Sequence, residues 1–134
     1  MAASYPISRY LLSVMRIVIA FTFTCHGAQK LLGAFGGMGP HGGTVPMFSL
    51  FWFAGIIEMV CGTLLFFGLL TRPVALILCG EMAVAYFHAH APRGPWPLRN
   101  GGELAVVYCF VFLYLMAAGP GPISLDRVLR RREV

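Results

Sequence analysis

The chain has 134 residues, of which 58% are hydrophobic and 11% are charged. Ordinary soluble domains are about 45–50% apolar and about 25% charged, so this composition excludes that class. The net charge is +5, but the basic residues stand at the ends of apolar segments, which favours a membrane protein over a nucleic-acid-binding one.

Four apolar segments are predicted to be transmembrane helices, at about residues 7–32, 47–70, 73–90 and 103–118. They use nearly the whole chain and leave no room for a separate soluble catalytic domain. We therefore predict an all-α integral membrane protein, a single domain that forms a four-transmembrane-helix bundle. More basic residues fall on the side of the two termini than on the other side, which places both termini in the cytoplasm.

The first helix carries Arg16, His26 and Lys30 on one face, with Gly27 close to that face. Arg16 and Lys30 could extend their charges to opposite interfaces, or each could have a specific partner. For Arg16, which lies two turns inside the segment, we expect a carboxylate partner. The candidates are Glu58 and Glu81.

The stretch FWFAGIIEMVCGTLLFFGLLTRP contains one acidic residue, Glu58. A charge at that depth costs at least about 2.5–3.5 kcal/mol, so Glu58 should face protein and have a partner. Gly55 and Gly62 share its helical face and would let another helix come close. We predict that Arg16, Glu58 and Glu81 form an intramembrane polar network that fixes how the helices pack, because three residues are too few for a proton pathway.

Two loops rich in glycine and proline, residues 33–46 and 91–102, are predicted as connectors, although the first could also be a structured lid. Titratable residues gather near these loops, and we predict an outer-face pocket there. Its members are His26, Lys30, His88, His90, Arg93 and Glu103. The pocket could take an anion or a quinone head group, or its members could be ordinary interfacial residues. We predict no metal site, because His88 and His90 point about 160° apart on a helix.

The cysteines and the C-terminal tail leave further alternatives. Cys25, Cys61, Cys79 and Cys109 lie inside the apolar segments, where packing is the favoured role and a redox or disulfide role is the alternative. The arginine-rich tail, residues 123–134, is predicted to lie on an anionic inner leaflet and not to bind nucleic acid.

Five motifs in order resemble the DoxX family of small bacterial inner-membrane proteins: RIVIAFTFTCHGAQK, AGIIEMVCG, GLLTRP, APRGPWPLRNGGE and GPGPISLD. The resemblance extends from about Tyr10 to Leu129. The family pattern falls on Arg16, His26, Gly27, Lys30, Gly55, Glu58, Gly62, Thr71, Arg72, His88, Gly102, Glu103, Ser124, Leu125 and Asp126. The resemblance implies a multi-pass protein of the bacterial inner membrane, with no residue of established catalytic role.

The resemblance also implies an association with redox chemistry. Relatives include a membrane subunit of a thiosulfate:quinone oxidoreductase, and others work beside superoxide dismutase and a sulfurtransferase. We therefore expect a membrane subunit or accessory of an oxidoreductase or thiol-stress system that interacts with quinone. The alternative is a non-enzymatic anchor or assembly factor. Quinone is the only cofactor suggested, since haem, flavin and iron–sulfur signatures are absent from the sequence. The expected partners are the lipid bilayer and either a redox enzyme or a second copy of the chain.

Overall fold

The computed structural model describes residues 6–130 of the chain, and every regular element in that range is a helix. The main helices are α1 Ile7–Leu32, α2 Leu50–Phe67, α3 Thr71–Ala85, α4 Pro97–Asn100, α5 Glu103–Ala118 and α6 Leu125–Arg130. The chain divides into two compact units. Unit 1 runs to Thr71 and resumes at Pro120, and unit 2 is Arg72–Gly119.

Within residues 6–130, three helical stretches are long and apolar enough to cross a membrane: Ile7–Leu32, Leu50–Phe67 and Thr71–Arg93. The third continues α3 through a π-helical turn, Tyr86–His90, into a short 3₁₀ turn. Helix α5 has 16 residues and covers about 24 Å, which is less than the roughly 30 Å of a hydrocarbon core. The protein is therefore a multi-pass membrane protein with three to four spans.

Helices α1 and α2 of unit 1 lie antiparallel and pack closely through glycine. A Cβ added to Gly27 would lie 2.7 Å from the Met59 nitrogen and 2.8 Å from the Gly55 oxygen. A Cβ on Gly62 would overlap the Thr24 hydroxyl. Any larger side chain would push the two backbones apart, so these glycines permit the contact on which unit 1 is built.

Helix α2 is shorter at both ends than the predicted segment 47–70. It begins at Leu50 because Ser49 is its N-cap, with the Ser49 hydroxyl accepting the Trp52 N–H at 3.2 Å. It ends at Phe67 because Gly68 turns left-handed, with φ of 67°.

Helix α3 begins at Thr71, two residues before the predicted start of the third segment. The carboxylate of Asp126 accepts the N–H groups of Leu70 at 2.7 Å and Thr71 at 2.9 Å. These amides have no partner within a helix, so the carboxylate allows the helix to start early. Pro73 then lies in the first turn, where its missing N–H removes no helical hydrogen bond.

The first glycine-rich loop is an ordered structure and not the plain connector that the sequence favoured. The Val45 N–H donates to the Lys30 carbonyl at 2.9 Å, and the Gln29 side chain donates to the Gly37 carbonyl at 3.0 Å. Val45 is buried. The loop is therefore held against the last turn of α1.

The described part of the C-terminal tail ends with α6. Leu125, Val128 and Leu129 expose apolar side chains there, and Arg130 is exposed as well. The remaining part of the predicted basic tail, with Arg131 and Arg132, lies outside the described residues.

Candidate functional site

Lys30 and Glu58 form an ion pair between α1 and α2. The Lys30 Nζ lies 2.7 Å from Oε1 and 2.6 Å from Oε2 of Glu58. The two side chains are only 12% and 5% exposed. A carboxylate in a membrane-spanning helix is stable only with such a partner, because lipid offers neither countercharge nor hydrogen bonds.

His26 lies one turn before Lys30 on α1 and is half-buried. Its ring meets the ring of Phe23 edge-on, with the centroids 6.4 Å apart. Two members of the predicted outer-face pocket, His26 and Lys30, therefore lie one turn apart on α1, and Lys30 binds Glu58 of the predicted polar network.

Arg16 is 1% exposed and donates to four backbone carbonyls. Its Nε donates to Pro120 at 3.0 Å, and its Nη1 donates to Phe66 at 2.7 Å and to Leu65. Its Nη2 donates to Ile123. We call Arg16 and these four carbonyls the Arg16 cap, because Leu65 and Phe66 belong to the last turn of α2.

Glu58, one of the two predicted candidates for the partner of Arg16, pairs with Lys30 through both of its oxygens. The last carbonyls of a helix carry the negative end of the helix dipole, so they serve Arg16 as acceptors. The carboxylate near Arg16 is that of Asp126, which interacts favourably with its charge. Glu81, the other predicted partner, belongs to α3 of unit 2, where it is half-buried.

The Arg16 cap also fixes the segment that follows Gly119 in the chain. The Ser13 hydroxyl accepts the Ile123 N–H at 3.1 Å. Gly121 has φ of 77°, and a Cβ there would overlap the Ser13 hydroxyl. The motif GPGPISLD therefore binds back onto α1. Sequence reasoning missed Ser13, although its position one turn before Arg16 on the same face was a usable signal.

In unit 2, three members of the predicted pocket are exposed: His88, Arg93 and Glu103. His90 is half-buried, and its Nδ1 lies 3.2 Å from the Asn100 carbonyl oxygen. Its ring stacks on Tyr86 at 27° with centroids 6.4 Å apart. His90 thus helps to hold the second loop.

Asn100 holds that loop together and was missed by sequence reasoning. It is 2% exposed. Its amide donates to the Gly94 carbonyl at 2.8 Å and to the Tyr86 hydroxyl at 3.3 Å, and its side-chain oxygen accepts the Gly102 N–H at 2.8 Å. An asparagine directly before two glycines is a turn signal that could have identified it.

Comparison with known proteins places the chain among membrane proteins. The DoxX family model matches residues 11–91. A Haemophilus influenzae protein described as uncharacterized is 44% identical, over 87% of this chain and 89% of that protein. The inner membrane protein YqjF of Escherichia coli is 32% identical, over 89% and 92%. An uncharacterized membrane protein of Mycobacterium tuberculosis is 28% identical, over 88% and 80%. No solved structure matches the chain significantly.

Proposed function

Because the chain belongs to the DoxX family of membrane proteins, we propose that it is a membrane subunit or accessory of an oxidoreductase or thiol-stress system. Its Lys30–Glu58 pair would bind the head group of a quinone. The proposal rests on the position of this ion pair between two apolar helices that are long enough to cross a membrane.

The chemistry of the pair suits a quinone. An ammonium has three N–H donors, and the two oxygens of Glu58 need only two of them. The third can donate to a quinone carbonyl. Reduction of a quinone consumes two electrons, which the oxidoreductase partner would supply, and two protons, which Lys30 and the neighbouring His26 would pass to the head group. Apolar side chains exposed along α1 and α2, such as Val18 and Val60, offer a surface for the isoprenoid tail.

The test compares quinone retained by the wild-type protein and by a Lys30→Met/Glu58→Gln double variant, both purified from bacterial membranes in mild detergent. Changing both residues removes the pair without leaving an unpaired charge. We expect the wild type to retain quinone and the double variant to retain at least about tenfold less, which corresponds to about 1.4 kcal/mol. An Arg130→Gln variant, altered at an exposed basic residue outside the predicted pocket, is the matched control. Equal retention by wild type and double variant would refute the proposal.

We further propose that the protein lies in the bacterial inner membrane with four spans and with both termini in the cytoplasm. The distribution of Lys and Arg supports this orientation, and local thinning of the bilayer would accommodate the short α5. Fusions of a periplasm-active phosphatase to each terminus should both be inactive. An active fusion at either end would contradict the orientation.

A second candidate function is that of a membrane anchor or assembly factor for another protein. The first loop favours it, because Phe35, Met47 and Phe48 are about 70% exposed there. Phe35 and Phe48 have φ of 53° and 63°, which is unfavourable for bulky residues and often marks a functional segment. A Phe35→Ser/Phe48→Ser variant should lose a co-purifying partner and keep its quinone content. If this variant lost its quinone and kept the co-purifying partner, the anchor function of the first loop would be excluded.

A further inference from the structure

Helices α3 and α5 of unit 2 bring two thiols into contact well inside both helices. The Sγ atoms of Cys79 and Cys109 are 3.7 Å apart. The Cys109 Sγ also lies 3.5 Å from the Cys79 carbonyl oxygen, to which it donates. Two cysteines 30 residues apart thus form one dithiol.

The two sulfurs are close to the distance at which a disulfide forms. A disulfide bond is about 2.05 Å long, so the sulfurs would need to approach by about 1.7 Å. Rotation of the two side chains moves each sulfur by a comparable distance. The two helices can therefore be cross-linked at this point by a small local adjustment.

The surroundings of the dithiol determine which oxidants can reach it. Both cysteines are half-buried. Leu76 and Ile77 on α3 and Phe110 on α5 expose apolar side chains on the same stretches of helix. Such an environment disfavours charged, water-soluble oxidants, whereas a lipid-soluble oxidant or a small uncharged thiol can enter it.

We propose that Cys79 and Cys109 are a redox-active dithiol that a membrane quinone oxidises to a disulfide. Two S–H bonds break, one S–S bond forms, and the two electrons and two protons pass to the quinone, which becomes a quinol. The proposal rests on the proposed function only in naming a quinone as the oxidant. The position of the dithiol depends on neither Lys30 nor Glu58.

The test uses full-length protein in liposomes, reduced with dithiothreitol and then freed of it. Decylubiquinone is added, remaining thiols are blocked with N-ethylmaleimide, and the disulfides are mapped by mass spectrometry of the peptides. We expect a Cys79–Cys109 disulfide within one chain, loss of two of the four thiols, and one quinol for each disulfide. Dithiothreitol should restore both thiols.

Two variants and a second oxidant make the result decisive. A Cys25→Ser/Cys61→Ser variant should behave like the wild type, because it keeps Cys79 and Cys109. It is a matched control, since its two changed residues are also half-buried in apolar helices. A Cys79→Ser variant should form neither disulfide nor quinol. Failure with decylubiquinone but success with iodine would overturn the assignment of the oxidant. Failure with both would overturn the dithiol itself.

The outcome is separable from that of the proposed function. Suppose that the wild type retains no quinone but the Lys30→Met/Glu58→Gln variant still forms the disulfide with iodine. The dithiol would then be supported and the quinone site at Lys30 and Glu58 would be refuted. Quinone retention without any Cys79–Cys109 disulfide would have the opposite meaning.

Discussion

The two buried basic residues of α1 are neutralised in different ways, although both lie in the same helix pair. Lys30 meets the carboxylate of Glu58 on the adjoining face of α2. Arg16 meets backbone carbonyls, two of them in the last turn of α2. The difference follows from side-chain shape, because a guanidinium presents five donors in a planar fork and an ammonium presents a compact charge. A helix end can therefore supply acceptors to a buried arginine whose countercharge, here Asp126, forms no hydrogen bond with it in the described structure.

Unit 2 repeats the arginine arrangement at the surface. Arg72 donates through Nη1 to the carbonyls of Met116 at 2.9 Å and Ala117 at 2.7 Å, in the last turn of α5. Arg72 is exposed, whereas Arg16 is 1% exposed. The arginine should therefore contribute much more to the free energy of unfolding in unit 1 than in unit 2, since exposed carbonyls have solvent as an alternative partner and buried ones do not.

The largest effect is expected from Arg16→Met. It removes four hydrogen bonds from a charged donor, and such bonds contribute about 1.5–3 kcal/mol each, so we expect a loss of about 4 kcal/mol or more. The measurements are the folded yield in membranes and the Tm in detergent. Arg16→Lys keeps the charge and loses the planar fork, so it should fall between wild type and Arg16→Met. A lysine variant equal to the wild type would show that charge alone matters.

A smaller effect is expected from Glu58→Ala, which leaves Lys30 without its carboxylate. Removing one member of a buried pair costs about 3–5 kcal/mol, and we expect the lower limit because the Lys30 side chain is 12% exposed and can move outward. The double variant Lys30→Met/Glu58→Gln should recover most of the Tm. If it were as unstable as Glu58→Ala, the loss would come from packing and not from the uncompensated charge.

The helical membrane class of the fold could be predicted, because apolar segments of about 20 residues have few alternatives in lipid. The helix ends could not be predicted as closely. Asp126 sets the start of α3 from more than 50 residues away in the chain, and no local pattern near Thr71 contains that information.

The sequence indicated which residues to consider but not which of them make contact. Lys30 and Glu58 were both among the candidate residues. Arg16 was expected to bind a carboxylate, because a sequence shows which side chains are present but not which backbone carbonyls are available as acceptors. The contact between Cys79 and Cys109 was left open for a similar reason. Contact between helices depends on their rotation, which composition does not determine.

The smallest effect is expected from Arg72→Ala. Its two hydrogen bonds and its interaction with the end of α5 are exposed to solvent, so their loss should lower the free energy of unfolding by about 1 kcal/mol or less. The measurement is again the Tm in detergent, compared with the Tm of Arg16→Ala as the matched buried variant. Gly119 follows the last turn of α5 with φ of 83° and ends the helix without any side chain. For this reason α5 should keep its length in the Arg72→Ala variant, and hydrogen exchange should show faster exchange only in its last turn. A loss as large as that of Arg16→Ala would mean that burial does not decide the strength of an arginine at a helix end.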